Sequence, residues 1–179
     1  MRALLLAVLT LPSVLQTARA GGEDDVPALQ RSLVGVSLGD DLGRARRVYP
    51  PAQEWSAITY PRTGVTRYRV ERGGAKVFPA RVETLYLGFK RGRLVEIEAV
   101  YDEKQSRAQN VEKLAGAYAL VYGEAKRSAD RFWWSDGKTV LRVFSEEIPI
   151  GKDGAHAVAW RTAVQVFEAG TFLTPYSYR

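Results

Sequence analysis

The stretch VETLYLGFKRGRLVEIEAVY, residues 82 to 101, predicts an antiparallel β-hairpin on which the rest of the chain packs. Apolar residues recur at every second position on both sides of an Arg-Gly pair, which is typical of two strands that each bury one face. The apolar positions are Leu85, Leu87 and Phe89 before the pair, and Val95, Ile97 and Ala99 after it.

The length of the turn decides which residues of the two strands lie opposite each other. A two-residue turn would place Leu87 opposite Glu96, which mixes the apolar face with the polar face. A three-residue turn, residues 90 to 92, would place Leu87 opposite Val95, with Gly92 in the left-handed conformation of a bulged turn. We therefore predict the three-residue turn.

The N-terminal residues have the three parts of a secretory signal peptide. A basic start, Met1-Arg2, precedes an apolar run over residues 3 to 15 and a small-residue end, Ala18-Arg19-Ala20. The run is shorter than the about 20 residues that a membrane-spanning helix needs, and no second such run follows. We predict a signal peptide over residues 1 to 20 and an exported protein, periplasmic or secreted.

Composition places the exported chain among ordinary single domains. Without residues 1 to 20 it has 159 residues, with 24 basic and 20 acidic side chains after the loss of Arg2 and Arg19, for a net charge of +4. A chain of this size buries a sufficient core without covalent staples. The sequence has no cysteine, which excludes disulfides and a lipid-modified N-terminal cysteine.

Nine basic residues lie between Arg62 and Arg93, with only Glu71 and Glu83 among them. One interpretation is a basic face toward a membrane surface, an acidic glycan or an acidic partner. The other is a set of solvated arginines on exposed strand faces. Export argues against a nucleic-acid partner.

Two helices and further strands are predicted around the hairpin. Ser37, with Asp40 three residues later, predicts a helix N-cap, and Pro50 ends that helix. Helical spacing predicts a second helix over residues 106 to 122, ended by Gly123. Strands are predicted over residues 55 to 60, 65 to 71, 131 to 135, 138 to 144 and 157 to 168, with Asp136-Gly137 as a hairpin turn.

These elements predict an α+β fold in which two helices pack on one face of an antiparallel sheet. A flexible leader is predicted over residues 21 to 32 and one domain over residues 33 to 179. The order of helix and strands occurs twice, which suggests two related units over residues 33 to 101 and 102 to 168.

Residues 35 to 39, Gly-Val-Ser-Leu-Gly, match the nucleophile elbow of α/β-hydrolases, and Asp153 and His156 follow in the order of a triad. An elbow of that kind needs several strands before it, whereas only 16 residues separate Ser37 from the predicted cleavage site. We therefore interpret Ser37 as a helix cap. With one histidine and no cysteine, no metal and no cofactor are predicted.

Six residues are candidates for binding or chemistry. The glutamates among them lie two apart on one strand face, about 6 to 7 Å along the strand, which is near the separation of glycosidase carboxylates. The favoured interpretation is that they form the polar side of a half-exposed strand, with arginines opposite. The adjacent tryptophans point to opposite faces, so at most one of them faces the core from a given side of the sheet. Core filling is the main interpretation of the tryptophans, and a stacking platform for sugars or peptides is the alternative. Trp55 and Trp160 are further candidates for that platform. The six are Tyr86, Arg93, Glu96, Glu98, Trp133 and Trp134.

Residues 33 to about 101 resemble the small SmpA/OmlA-type outer-membrane assembly proteins. The resemblance rests on Gly-Val-Ser-Leu at residues 35 to 38, on a helix ending Arg-Val-Tyr-Pro at residues 47 to 50, and on the hairpin FKRGRLVEI at residues 89 to 97. It implies a fold similar in arrangement to the β-lactamase-inhibitor-protein fold, and an envelope protein that binds other proteins. The chain departs from that family in lacking the lipidated cysteine and the Leu-Gly-x-Pro helix end.

Two functions are compatible with these residues. The first is a non-enzymatic envelope protein that binds a protein partner through the sheet face opposite the helices, with peripheral contact to membrane or acidic glycan as an additional role. The alternative is a periplasmic glycan-binding protein or hydrolase that uses Glu96 and Glu98 or exposed tryptophans. The sequence holds no convincing triad and no cluster of metal ligands, which favours the first and predicts that the protein is not an enzyme.

Export is expected to cleave the chain after Ala20, because Ala18 and Ala20 occupy the small-residue positions that follow the apolar run. Intact-mass measurement of the exported protein should show Gly21 as its first residue. A protein that retains Met1 would contradict the assignment.

Overall fold

The computed structural model describes residues 27 to 149 and 158 to 172. The predicted signal peptide, its cleavage site and the first part of the predicted leader lie outside the described residues. Asp153 and His156, which follow Ser37 in the order of a hydrolase triad, also lie outside the described residues.

Strands supply most of the described structure. They are β1 (Ser32–Leu33), β2 (Val36–Ser37), β3 (Ser56–Tyr60), β4 (Val65–Glu71), β5 (Val82–Lys90), β6 (Arg93–Tyr101), β7 (Lys126–Ser128), β8 (Arg131–Ser135), β9 (Thr139–Pro149) and β10 (Val158–Glu168). The helices are α1 (Leu42–Val48), α2 (Glu103–Ala108) and α3 (Val111–Tyr122). Short 3-10 turns occur at Arg72–Gly74 and Ala169–Thr171.

The prediction of an α+β fold with two helices packed on a sheet was wrong. Within the described residues the protein is mostly β, with one large eight-stranded antiparallel sheet, a separate two-stranded ribbon and three helices. Two of those helices have only 7 and 6 residues, which is less than two turns. Apolar residues with period two outnumber those with helical spacing, so the sheet forms most of the core.

The large sheet consists of two antiparallel meanders joined side by side. Its strand order is β3-β4-β5-β6-β10-β9-β8-β7, so each meander has four strands and contributes its last strand to the join. One meander lies within residues 33 to 101 and the other within residues 102 to 168. The pairing of β6 with β10 is therefore the only strand contact between the halves of this sheet in the described residues.

The central hairpin turns through two residues, not the three that we predicted. Lys90 pairs with Arg93, and the turn residues Arg91 and Gly92 have φ angles of 52° and 76°. Positive φ at both central positions defines the type I′ turn, whose twist matches that of the flanking strands.

A β-bulge, not the turn, keeps the apolar residues of the hairpin on one face. The register shifts between Gly88 and Phe89, where Val95 is the extra residue of β6, so that Leu87 pairs with Ile97. Without the bulge a two-residue turn would place Leu87 opposite Glu96, on the polar face.

Each strand of the large sheet presents alternate residues to two faces. On the face that we call the helix side, Leu87, Ile97 and Val164 form the main core with Ala45 of α1 and Leu114 of α3. The opposite face, which we call the far side, carries the polar residues of the central strands. Leu29, within the predicted leader, also packs in the main core.

The predicted cap of the first helix was wrong. Helix α1 begins after Asp41, whose side chain accepts a hydrogen bond from the Arg44 N–H, whereas Ser37 lies in β2. Gly39 N–H donates to the Leu94 carbonyl and Leu94 N–H donates to the Asp40 carbonyl, both at 2.7 Å. These bonds to β6 and the bond from the Asp40 N–H to the Ser37 carbonyl hold residues 37 to 40 in a turn, in which Gly39 has a φ of 97°, so the helix starts later.

The second predicted helix is divided into two. Helix α2 ends before Gln109, and the Asn110 side chain then caps α3 by accepting from the Lys113 N–H at 3.0 Å. The predicted end at Gly123 is confirmed, with φ of 79° and a bond from its N–H to the Ala119 carbonyl.

The Asp-Gly turn between β8 and β9 is confirmed, and Asp136 also holds the start of the described chain. Its carboxylate accepts from the N–H groups of Leu29, Lys138 and Thr139 at 2.7 to 2.9 Å. Burial raises the pKa of Asp136, but these N–H groups and Arg31 outweigh burial and hold the pKa below its usual value.

None of the helices within residues 27 to 149 and 158 to 172 combines the length and the apolar character that a membrane crossing requires.

Replacing Asp41 by Ala should lower the free energy of unfolding by about 1 kcal/mol, because the substitution removes the side-chain cap of α1. Ser37→Ala should change it by no more than a few tenths of a kcal/mol, since Ser37 caps no helix. Urea unfolding of the two variants measures both values. A larger loss for Ser37→Ala than for Asp41→Ala would restore the original assignment of the cap.

Candidate functional site

One row of residues on the far side crosses the large sheet from edge to edge. Each member is the register partner of the next, so the row takes one residue from every strand of the sheet. Three of its members are candidates that the sequence had indicated. In spatial order the row is Ser56, Arg69, Tyr86, Glu98, Gln165, Arg142, Trp133 and Lys126.

The two glutamates of β6 are buried at the centre of this face, with exposures of 0% for Glu96 and 2% for Glu98. The Gln165 amide nitrogen donates to both carboxylates, at 2.5 Å to Glu96 and 2.9 Å to Glu98. Because one nitrogen bonds both groups, the carboxylates form one cluster with the glutamine of the neighbouring strand.

Arg67 of β4 supplies the positive charge nearest to this cluster. Its guanidinium lies 2.7 Å from the Glu98 carboxylate and 3.5 Å from that of Glu96, and its side chain is 14% exposed. The same guanidinium lies over the Tyr86 ring, 3.9 Å from the ring centroid. Arg67 therefore holds a carboxylate and an aromatic ring in fixed positions relative to each other.

Arg142 of β9 places a second positive charge beside the cluster. Burial lowers the pKa of its guanidinium, and the nearby Glu98 opposes that shift. The Arg142 guanidinium also lies 4.3 Å from the Phe144 ring centroid. Two arginines thus accompany two glutamates, which balances the charge that the sheet buries.

A glycine makes room for the cluster. Gly88 of β5 is the register partner of Glu96, and a Cβ atom at Gly88 would lie 2.6 Å from a carboxylate oxygen of Glu96. Any larger residue at this position would displace the buried carboxylate.

Apolar clusters lie on both sides of the buried charges along the strands. On one side the cluster includes Val65, Val140 and Phe167, with the half-buried Trp133 against it. On the other side Val100 and Phe144 form a cluster with Ile148 and Ala163, against which Tyr86 packs. The charged residues are therefore enclosed between two apolar layers.

The structure brings together four of the six candidates, namely Tyr86, Glu96, Glu98 and Trp133, on the far side. Trp134 instead lies in the main core, where its indole N–H donates to the Gly123 carbonyl at 2.9 Å. Arg93 lies at the turn end of β6, about 16 Å along the strand from Glu98.

Three residues of the cluster were not predicted from the sequence, namely Arg67, Gln165 and Arg142. Each of the three occupies a polar position in the alternating pattern of a predicted strand. That alternation was the one sequence feature that could have indicated them. Arg67 is 31 residues from its partner Glu98 in sequence, and Gln165 is 67 residues from the same partner. No local sequence pattern therefore connects these residues to Glu98.

The basic stretch from Arg62 to Arg93 does not act as one free patch. Arg67 is buried in the cluster, Arg69 pairs with Glu71 at 2.8 Å, and Arg72 pairs with Asp102 at 3.3 Å and donates to the Val82 carbonyl. These ion pairs neutralise part of the positive charge of the stretch.

In the buried cluster the carboxylate oxygens of Glu96 and Glu98 already accept hydrogen bonds, from Gln165 and, for Glu98, also from Arg67. A glycosidase pair needs an acid and a base that reach a substrate from opposite sides of the bond. Glu96 and Glu98 instead contact a common amide within the sheet. Among the described residues, no group of three or more histidine, cysteine or acidic side chains has a metal-binding arrangement.

Comparisons with known protein families, with curated proteins and with solved structures gave no match.

Removing one member of the Arg67–Glu98 pair should cost about 3 kcal/mol in unfolding free energy, because the remaining charge stays buried without its partner. Arg67→Met and Glu98→Gln should each show this loss, and the double variant should lose clearly less than their sum. Urea unfolding of the four proteins measures the coupling.

The exposed Arg69–Glu71 pair on the same strand gives a matched control. Its side chains are 43% and 53% exposed, so the cycle through Arg69→Met and Glu71→Gln should give a coupling below about 1 kcal/mol. Equal coupling in the two cycles would contradict the assignment of a buried, interdependent cluster.

Proposed function

We propose that this chain is an exported, non-enzymatic envelope protein that binds a partner protein through the far side of its sheet. Arg69, Tyr86 and Trp133 of the eight-strand row are the principal contacts in this proposal. The observation that carries it is the row itself, in which aromatic and basic side chains surround a buried, charge-balanced centre.

The different packing of the two sheet faces supports this function. Helices α1 and α3 contribute their buried residues to the main core on the helix side. The described helices place no residue in the two apolar clusters of the far side. On this face the row exposes Arg69 of β4 and Lys126 of β7, near opposite edges of the sheet, which suits a large, flat partner such as a protein surface.

The residue types of the row also support binding. Tyrosine, tryptophan and arginine are enriched among the residues that dominate binding energies. Arg67 holds Tyr86 by contact with its ring, and Trp133 packs against an apolar cluster. Because these side chains are ordered before binding, less conformational entropy is lost when a partner arrives.

Charge indicates the kind of surface that would fit. The glutamates at the centre of the row are buried and accompanied by Arg67 and Arg142, while Arg69 and Lys126 near the ends of the row are exposed. Within the row a partner would therefore meet two exposed positive side chains, of which Arg69 is already paired with Glu71 at 2.8 Å. An acidic protein surface is complementary to this arrangement.

Burial of the carboxylates makes the hydrolase alternative less suitable. A general acid and base must lie within hydrogen-bond reach of the substrate, whereas Glu96 and Glu98 are enclosed by the side chains around them. The envelope location rests on the predicted signal peptide and on the resemblance to outer-membrane assembly proteins.

Photocrosslinking in cells tests the surface directly. A photoreactive residue at position 69 or 126 should give a covalent adduct with one partner, and the same residue at the exposed Leu120 of α3 should not. With the partner identified, Arg69→Glu should weaken binding by about tenfold or more and reduce its salt dependence.

Arg44→Glu is the matched control, because Arg44 is an exposed arginine of α1. It reverses the same charge away from the far side and should leave affinity within about twofold of the parent protein. Adducts from position 120 alone, or equal losses for the two charge reversals, would refute the far side as the binding surface.

A further inference from the structure

We propose that a cavity beside Trp160 is a binding site for a neutral saccharide. The cavity lies on the helix side, between α2, the start of α3 and the ends of β9 and β10, and has a volume of about 380 Å³. It shares no residue with the eight-strand row, so this inference stands independently of the protein-binding function.

Trp160 provides an apolar surface at this cavity. It is 58% exposed, which is the largest exposure of any tryptophan in the chain, since Trp55 and Trp134 are buried and Trp133 is half-buried. Val158, two residues earlier on the same strand face, is 47% exposed and extends the apolar surface. A flat indole face of this kind accepts the C–H face of a pyranose ring.

Polar side chains from both helices lie around the indole. Glu103 and Arg107 of α2, Asn110 and Glu112 at the start of α3, and Ser145 of β9 all line the cavity. Together they make the lining mostly polar, with hydrogen-bond donors and acceptors around the apolar Trp160 and Val111.

The mixture of charges in the cavity favours neither an anion nor a cation. An anion would meet Glu103 and Glu112, and a cation would meet Arg107 and Arg161. A ring with several hydroxyl groups avoids both penalties, because each hydroxyl both donates and accepts hydrogen bonds. Neutral saccharides combine such hydroxyls with an apolar ring face.

The walls of the cavity are held by bonds that do not involve the indole. Arg161 bonds to Glu83 at 3.2 Å and lies 3.8 Å from Glu103, which also pairs with Arg107. The Ser106 hydroxyl accepts from the Thr162 N–H at 3.1 Å. The site is thus preformed, which limits the ordering cost of binding a ligand.

An NMR titration of the isotope-labelled exported chain tests the proposal with a panel of neutral trisaccharides built from glucose, galactose or N-acetylglucosamine. At least one should shift the Trp160 indole resonance saturably, with a Kd of about 0.1 to 1 mM. Trp160→Ala should weaken that binding by about tenfold or more, and Trp160→Phe should retain most of it because an aromatic face remains.

Leu120→Ala is the matched control, because it removes another exposed apolar side chain on the helix side without touching the cavity. It should leave saccharide binding unchanged, and the thermal midpoint of Trp160→Ala should match that of the parent protein. The proposal is overturned if no trisaccharide binds below about 10 mM, if Trp160→Ala binds as well as the parent, or if only trilysine or an acidic saccharide shifts the indole.

Discussion

The contact of Gln165 with Glu96 and Glu98 joins the two halves of the sheet through side chains as well as backbone. Among the described strands, β6 and β10 form the only backbone pairing between the halves, and Gln165 of β10 donates to both glutamates of β6. Arg67 then extends the cluster to β4 in the first half, and Arg142 extends it to β9 in the second. A single set of polar side chains therefore connects four strands of the sheet.

This cluster also constrains the register of the join. Shifting β10 by one residue against β6 would turn Gln165 to the helix side and bring an apolar neighbour, Val164 or Val166, to the glutamates. The buried carboxylates would then lose the Gln165 amide donor, which is far more costly than the loss of an exposed hydrogen bond. The bulge at Val95 also fixes a register, that of β6 against β5. It keeps Ile97 on the apolar face and Glu96 on the polar face. Charge burial and strand register thus depend on each other here.

The two proposed binding surfaces follow from how the helices are placed. Helices α1 and α3 cover much of the helix side, but the ends of β9 and β10 extend past them and leave a cavity beside Trp160. The far side has no described helix in its apolar clusters and exposes Arg69 around the buried charges. One surface extends across the sheet and the other is a small cavity of mixed charge, so they suit ligands of different sizes. Both surfaces are on one sheet, yet no residue of the row lines the cavity.

Local features were determined by the sequence alone. Period-two alternation predicted the strands at residues 65 to 71 and 131 to 135, and the glycines predicted the Asp136-Gly137 turn and the end of α3, because these features depend on neighbouring residues.

Tertiary structure decided the rest. Asp41 caps α1 because backbone bonds to Leu94 hold residues 39 and 40 in a non-helical turn, and α2 and α3 separate where Asn110 forms a second cap. Glu96 and Glu98 became buried acceptors, not exposed contacts, because Arg67 and Gln165 reach them from strands that are distant in sequence. Partners that are brought together only by strand pairing leave no pattern within any single segment of the chain.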